Sequence, residues 1–276
     1  MTIQEAVANF KYLIENAITE GGNKAKTAII RSSKPILNIH EAVKHELVRN
    51  GVDENKIFPP LGERVPELKI AGSLKKKDQD ICIIPNIKRK KEILPDGLLE
   101  GTVDPFGIHF TSRTISINVR SQVSSIQKNF DTMYERTISE AQNLHDRCPN
   151  MVLGEVYMIA VPEYDDRQFV NKKVNFRNIN PRLVEKYIKS FQAINHRKNI
   201  QKNFYQYESA CLLIVDFRPD RPKIYTTIEE LKKDGLLNEN SSITMEGLEW
   251  ENFVPNLLRI YKHRFGGNGF FNFFLM

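Results

Sequence analysis

A chain of 276 residues, 41% hydrophobic and 27% charged, carries enough apolar side chain to bury a sizeable core, which excludes wholesale disorder. Forty Lys and Arg against 34 Asp and Glu leave a formal net charge of +6, a balance that favours an acidic partner because a positive surface attracts phosphate. No stretch approaches the ~18 apolar residues of a membrane span, and the first residues are too polar for a secretory leader. The apolar tail at 270–276 is far too short to cross a bilayer. Cys82, Cys148 and Cys211 cannot all pair, and none has metal-ligand spacing, so a reducing compartment, the cytoplasm, is expected.

Taken in chain order, Ile3, Ala6, Val7, Phe10, Leu13, Ile14 and Ala17 keep helical spacing and predict a first helix stopping at Gly21-Gly22. A second helix is expected over 39–50, with Asn38 as N-cap and Gly51 as its stop. A Pro-broken, irregular stretch runs through Phe58-Pro59-Pro60 to Pro66. Residues 80–84 then read as a short buried strand ending at Pro85. Turn signals crowd 86–113, predicting a long loop or a hairpin. Over 114–119 apolar Ile115, Ile117 and Val119 alternate with polar residues, the pattern of a strand with one buried face.

A helix is predicted over 129–145 and an apolar strand over 151–161, with Glu155 marking the strand's start. Further helices are expected over 181–196 and 227–234, the latter with a Thr227/Glu230 capping box, and a strand over 210–217. Helices and strands alternate, so the expected fold class is α/β, a central mixed β-sheet flanked by helices. No repeat or linker divides the chain. One domain over 1–276 is expected, with 165–276 as a possible C-terminal extension or subdomain.

Three pieces stand in order: an Asp opening a buried strand (Asp80-Ile-Cys-Ile-Ile), a strand running into Asn118-Val-Arg-Ser-Gln122, and a third apolar strand beyond the following helix. This order resembles the core of the PD-(D/E)XK nucleases, and specifically the type II restriction endonucleases, over roughly residues 39 to 161. In that family an Asp on one strand and a Glu-x-Lys on the next hold Mg²⁺ and orient the attacking water. The resemblance implies a restriction-endonuclease-like core with Asp80 as the first metal-binding acid. Asn118 takes the place of the second acid and Arg120 that of the lysine, while Ser121, Gln122, Lys128 and Asn129 match the stretch that follows. It further implies a site-specific endonuclease of double-stranded DNA, cytoplasmic and homodimeric, acting with Mg²⁺. A catalytically weak or inactive DNA-binding protein of the same fold is the alternative, and an unrelated α/β protein a third reading.

Asn118 departs from the pattern, because Mg²⁺ needs anionic oxygen and a neutral amide supplies none. Two carboxylates are candidates to compensate. Glu46 falls on the helical wheel between Ala42 and Val43, inside an apolar arc where an unpaired carboxylate is costly. Glu140 falls beside Met133 and Leu144, at the edge of the next helix's buried face. Asp104 is the alternative to Asp80 as the first acid. The expected catalytic set is thus Asp80, Asn118, Arg120, Gln122 and Glu46, and the expected metal ligands are Asp80, Asn118, Glu46 and Glu140. DNA phosphate contacts are expected from Lys75, Lys76, Lys77, Lys88, Arg89, Lys90, Lys128 and Asn129. No histidine has metal or triad spacing, and Gly266-Gly267-Asn268-Gly269 lacks the Lys-Ser/Thr of a phosphate loop.

Overall fold

The computed structural model describes residues 1–266; the tail at 270–276 and most of the Gly-rich stretch at 266–269 lie outside the described residues. Helix α1 (Ile3–Arg31) opens with a reciprocal cap, in which Thr2 Oγ1 accepts the Glu5 N–H while the Glu5 carboxylate accepts that of Thr2. Its expected stop at Gly21-Gly22 is instead an internal break. Gly22 leaves helical geometry at φ 62°, where a Cβ would lie 2.4 Å from the Phe169 carbonyl oxygen, and the helix then resumes to Arg31. Helix α2 (Lys34–Arg49) starts a turn earlier than Asn38 suggested. Ser33 is the cap residue and Pro35 sits in the first turn, where a missing N–H costs nothing. Asn38 donates back to the Lys34 and Pro35 carbonyls. Gly51, at φ 88°, follows the helix as the sequence suggested.

The Pro-broken stretch is irregular, as its composition implied, and lies between two short strands. β1 (Ile57–Phe58) runs into it, and β2 (Leu68–Ala71), just beyond Pro66, forms an antiparallel hairpin with β3 (Lys76–Gln79). A bend at Asp80 leads into β4 (Ile81–Ile83). Within the turn-rich region, β5 (Glu92–Ile93) pairs with β6 (Val103–Asp104), and the one-turn helix α3 (Ile108–Thr111) follows. Then come β7 (Ile115–Gln122), α4 (Ile126–Arg147), β8 (Val152–Ala160) and α5 (Pro181–Ile194). The chain continues through β9 (Ser209–Asp216), β10 (Lys223–Tyr225), α6 (Ile228–Lys233) and α7 (Trp250–Phe265). The Thr227/Glu230 capping box forms at the start of α6. Neither β10 nor α7 was anticipated from the sequence.

The fold is α/β. A six-stranded mixed sheet runs in the order β1-β4-β7-β8-β9-β10, with β7, β8 and β9 parallel and the other pairings antiparallel. The parallel strands are joined by crossovers through α4 and α5, which pack together on one face, while α2 and α7 pack on the other. Covering both faces explains why β7 departs from the expected one-sided alternation. Nearly every residue of β7 is buried, the polar ones included, as parallel strands between helical layers require. Glu155 differs from expectation for the same reason: it lies inside β8 and is fully buried.

Beyond residue 165 the described chain supplies β9, β10 and α7 to this same sheet and core. Glu208 ties that part down. Burial pushes its carboxyl up, but His145, Arg264 and the Leu153 N–H hold it at about 2. All three cysteines are free and buried, and burial raises their thiols, Cys148 to about 11. Among the described residues no helix is long and apolar enough to cross a membrane.

Candidate active site

Pairing of β4 with β7 is antiparallel, Ile81 standing opposite Ile117, so Asp80 meets the C-terminal half of β7. Asp80 Oδ2 accepts the Val119 N–H at 2.8 Å, a bond that fixes the carboxylate where a strand partner would otherwise be. That half of β7 opens on a cavity of about 620 Å³, which Asp80 shares with Glu67, Lys77, His40, Arg120 and Gln122. Lys26, Arg31, Arg64 and Arg136 also line it, so its walls carry more positive than negative charge.

Beneath the cavity lies a buried ionic cluster. Arg120 reaches from β7 to Glu155 on β8 and to Glu140 on α4, and it donates to Thr137 Oγ1 at 3.2 Å. Glu140 also pairs with Lys77 and, at 3.3 Å, with Arg136. Burial works against the charge on Arg120, yet Glu155, together with Tyr207 and Asp80, more than offsets it and holds the guanidinium above its ordinary value. Burial pushes the Glu155 carboxyl up, against the pull of Arg120. Lys77 is pushed down to about 8 by burial and by the neighbouring Arg120, while Asp80 pulls the other way.

Asn118 is buried beside Glu155, its register partner across β7 and β8. Its Oδ1 has no hydrogen-bond partner, and the same holds for Glu155 Oε2. Gln122 is held more firmly, since its carbonyl oxygen accepts the hydroxyls of Tyr157, at 2.7 Å, and of Tyr187.

The oxygens expected to bind a metal differ in what already engages them. Glu46 pairs with Arg49 and Asn50 on its own helix and is absent from the cavity wall. Its helix does reach the cavity, through Pro35, Ile36, Leu37 and His40. The carboxylate of Glu140 is saturated by three cations, so it serves the buried cluster rather than an incoming ion. Asp104 is buried in the β5–β6 hairpin, where it pairs with Arg147 and accepts the Phe106 N–H. Asp80 and Asn118 remain. Asp80 lines the cavity and spends one oxygen on Val119, whereas Asn118 Oδ1 is buried with no donor and, like Glu46, its residue is absent from the cavity wall. Among the described residues no three His, Cys, Asp or Glu side chains gather as a metal cluster.

The basic residues separate in the same way. Lys77 and Asn129 line the cavity. Lys76 is spent on the Val103 carbonyl, and Arg89 lies over the rings of Phe106 and Phe110. Lys75, Lys88, Lys90 and Lys128 are exposed, with Lys88 and Lys90 beyond the end of β4 opposite Asp80.

Three cavity or cluster residues escaped the sequence reading. Glu155 had a signal, an acid within an apolar run, which its assignment to the strand's start concealed. His40 is buried on α2; burial lowers its imidazole, while Asp80 opposes the shift. Glu67 precedes a four-residue strand just beyond the Pro-broken stretch and had no periodic signal. No protein-family model, curated protein or solved structure matches the chain.

Proposed function

We propose that the protein is a Mg²⁺-dependent, site-specific endonuclease of double-stranded DNA, with its centre at Asp80, Asn118 and Arg120. One observation carries this reading: two neighbouring strand ends bring the Asp80 carboxylate against Asn118-Val-Arg120 beside a cavity rich in cations. Asp80, on the cavity wall, is the residue that would hold the ion. When bound, Mg²⁺ lowers the pKa of a water and offsets charge developing on the phosphate. The water oxygen bonds to phosphorus as the bond to the leaving ribose oxygen breaks, and that oxygen takes up a proton.

The chain's own residues supply the rest. Arg120 is fixed by Glu140 and Glu155, so its charge is already oriented when the phosphate arrives. It hardly ever deprotonates and is no base. Lys77 is the cavity amine from which a proton leaves readily, because burial and Arg120 set it at about 8. Cleavage is therefore expected to rise with pH through about 8 in the native protein and to lose that limb in Lys77→Arg, which keeps the Glu140 pair but stays charged. An unchanged limb would remove Lys77 from proton transfer.

Exposed Lys75, Lys88, Lys90 and Lys128 supply phosphate contacts that position a duplex without reading its sequence. Cutting both strands of a symmetric site calls for a twofold dimer, and three buried free thiols accord with a cytoplasmic protein.

A second reading, a DNA-binding protein that does not cut, is favoured by the neutral Asn118 and by the commitment of Glu140 and Glu155 to Arg120. Incubating the purified protein with plasmid DNA and Mg²⁺ separates the two. Discrete fragments are expected; a gel shift without cutting establishes the second reading, and no binding at all ends both.

A further inference from the structure

We propose that the elbow between α1 and α2 is a phosphate-binding subsite, formed by Arg31, Arg64, His40 and the first turn of α2. It holds a phosphate of the substrate other than the one attacked at Asp80. That this phosphate belongs to DNA rests on the nuclease reading; the anion site itself rests on the geometry of the elbow. Six cations and two acids, Glu67 and Asp80, line the cavity, and four of those cations are already spent. Lys26 pairs with Asp166, Arg120 with Glu140 and Glu155, and both Lys77 and Arg136 with Glu140. Arg31 and Arg64 have no ion pair among the described residues, Arg64 acting on Glu67 only through space.

These two guanidinium groups flank one spot. Arg31 closes α1, two residues before Ser33, and Arg64 donates to the Ser32 carbonyl at 3.3 Å. Ser33 opens α2, a helix of 16 residues, without a side-chain cap, and the first turn contains no acid to offset the positive end of the helix. Ser32 Oγ takes the Lys34 N–H and the Ser33 carbonyl takes that of Leu37, while the Ile36 N–H has no acceptor among the described residues. Ser33, Pro35, Ile36 and Leu37 set this turn on the cavity wall.

An independent sign of a ligand comes from His40, four residues on from Ile36 and so on the same helix face. It lines the cavity and is only 8% exposed, yet no hydrogen bond reaches its ring among the described residues. A buried polar group left in that state is costly. A phosphate oxyanion answers every one of these features: its oxygens accept from two planar guanidinium forks, from the Ile36 N–H and from the imidazole. Asp80 shares the cavity and lies within electrostatic reach of His40, so the subsite adjoins the cleavage centre.

Titrating inorganic phosphate into the full chain in EDTA, with the His40 ring protons followed by NMR and assigned through His40→Gln, tests the subsite apart from cleavage. A saturable shift is expected in the native protein. Arg31→Gln/Arg64→Gln is expected to weaken it by at least about tenfold, and Arg221→Gln, outside the cavity wall, to leave it unchanged. Arg31 and Arg64 are exposed, so the double variant is expected to keep the native melting temperature in phosphate-free buffer. With duplex DNA and Ca²⁺ the same variant is expected to bind more weakly and to lose about 1 from the slope of log affinity against log salt. A single neutral methylphosphonate inside the strand, against removal of the terminal phosphate, tells which kind of phosphate occupies the subsite. No saturable shift in the native protein overturns the proposal, as does native phosphate affinity in the double variant. If the native protein cuts plasmid while the double variant binds phosphate undiminished, the subsite fails and the nuclease reading stands. Phosphate binding that depends on Arg31 and Arg64 in a protein that never cuts keeps the subsite and removes the nuclease reading.

Discussion

Asp80→Asn is expected to cost cleavage at least about 10²- to 10³-fold, the scale seen when one preorganised electrostatic group is removed from a transition state. The substitution is chosen for what it keeps. Asn retains an oxygen that can accept the Val119 N–H, so the local geometry at the β4–β7 junction survives and only the negative charge is lost. Asp80→Ala would add a second defect by leaving that N–H without its acceptor, at about 1–3 kcal/mol. DNA affinity measured with Ca²⁺, which occupies oxygen sites without the Mg²⁺ geometry, is expected to stay within a few-fold of native. The rate on plasmid DNA and a gel-shift titration read the two outcomes separately. Full activity in Asp80→Asn would take Asp80 out of the site.

Arg120→Met is expected to show the largest loss of stability, about 3–5 kcal/mol in urea denaturation, because it leaves carboxylates behind in the interior. The two partners suffer unequally. Glu140 keeps Lys77 and Arg136, whereas Arg120 is the only cation paired with Glu155 among the described residues. Glu155 in the variant therefore takes up a proton. Its folded-state pKa, already raised by burial, rises further above the unfolded value. A group of that kind contributes stability that is fully present below its unfolded pKa and is lost as pH rises through the folded one. The deficit of Arg120→Met should accordingly be smaller in mild acid and grow toward neutral pH. Adding Glu155→Gln should recover part of it at neutral pH. A loss below about 1 kcal/mol, or no rescue by the second change, would mean that the cluster is not the costly buried network described.

What the sequence disclosed follows the physical strength of each signal. Long periodic segments were legible, because burial forces their pattern: α4, β7, β8 and β9 lie where apolar spacing put them, within a few residues. The junction of Asp80 with β7 was legible as a juxtaposition of strand ends. Glu46 was misjudged because a helical wheel counts neighbours on a cylinder and ignores local pairing. Arg49 and Asn50, three and four residues on, satisfy its carboxylate without any cavity. The Glu140 position was read as an edge, yet three cations drawn from three elements let it sink to 3% exposure. Glu67 was beyond reach for a different reason: the four-residue strand that follows it is too short for a detectable period, and its place on the cavity wall exists only once the chain has folded.

The two strands that meet at Asp80 differ in how they are held, and the cavity inherits the difference. β7 has hydrogen-bonded neighbours on either side, so its side chains change place only when the whole sheet comes apart. The β2–β3 ribbon, bearing Lys77, has no third strand and is fastened through side chains instead: Asn143 and Arg147 of α4 hold its turn, and Lys77 pairs with Glu140. One wall of the cavity is thus secured by backbone pairing and the other by the polar groups of a single helix.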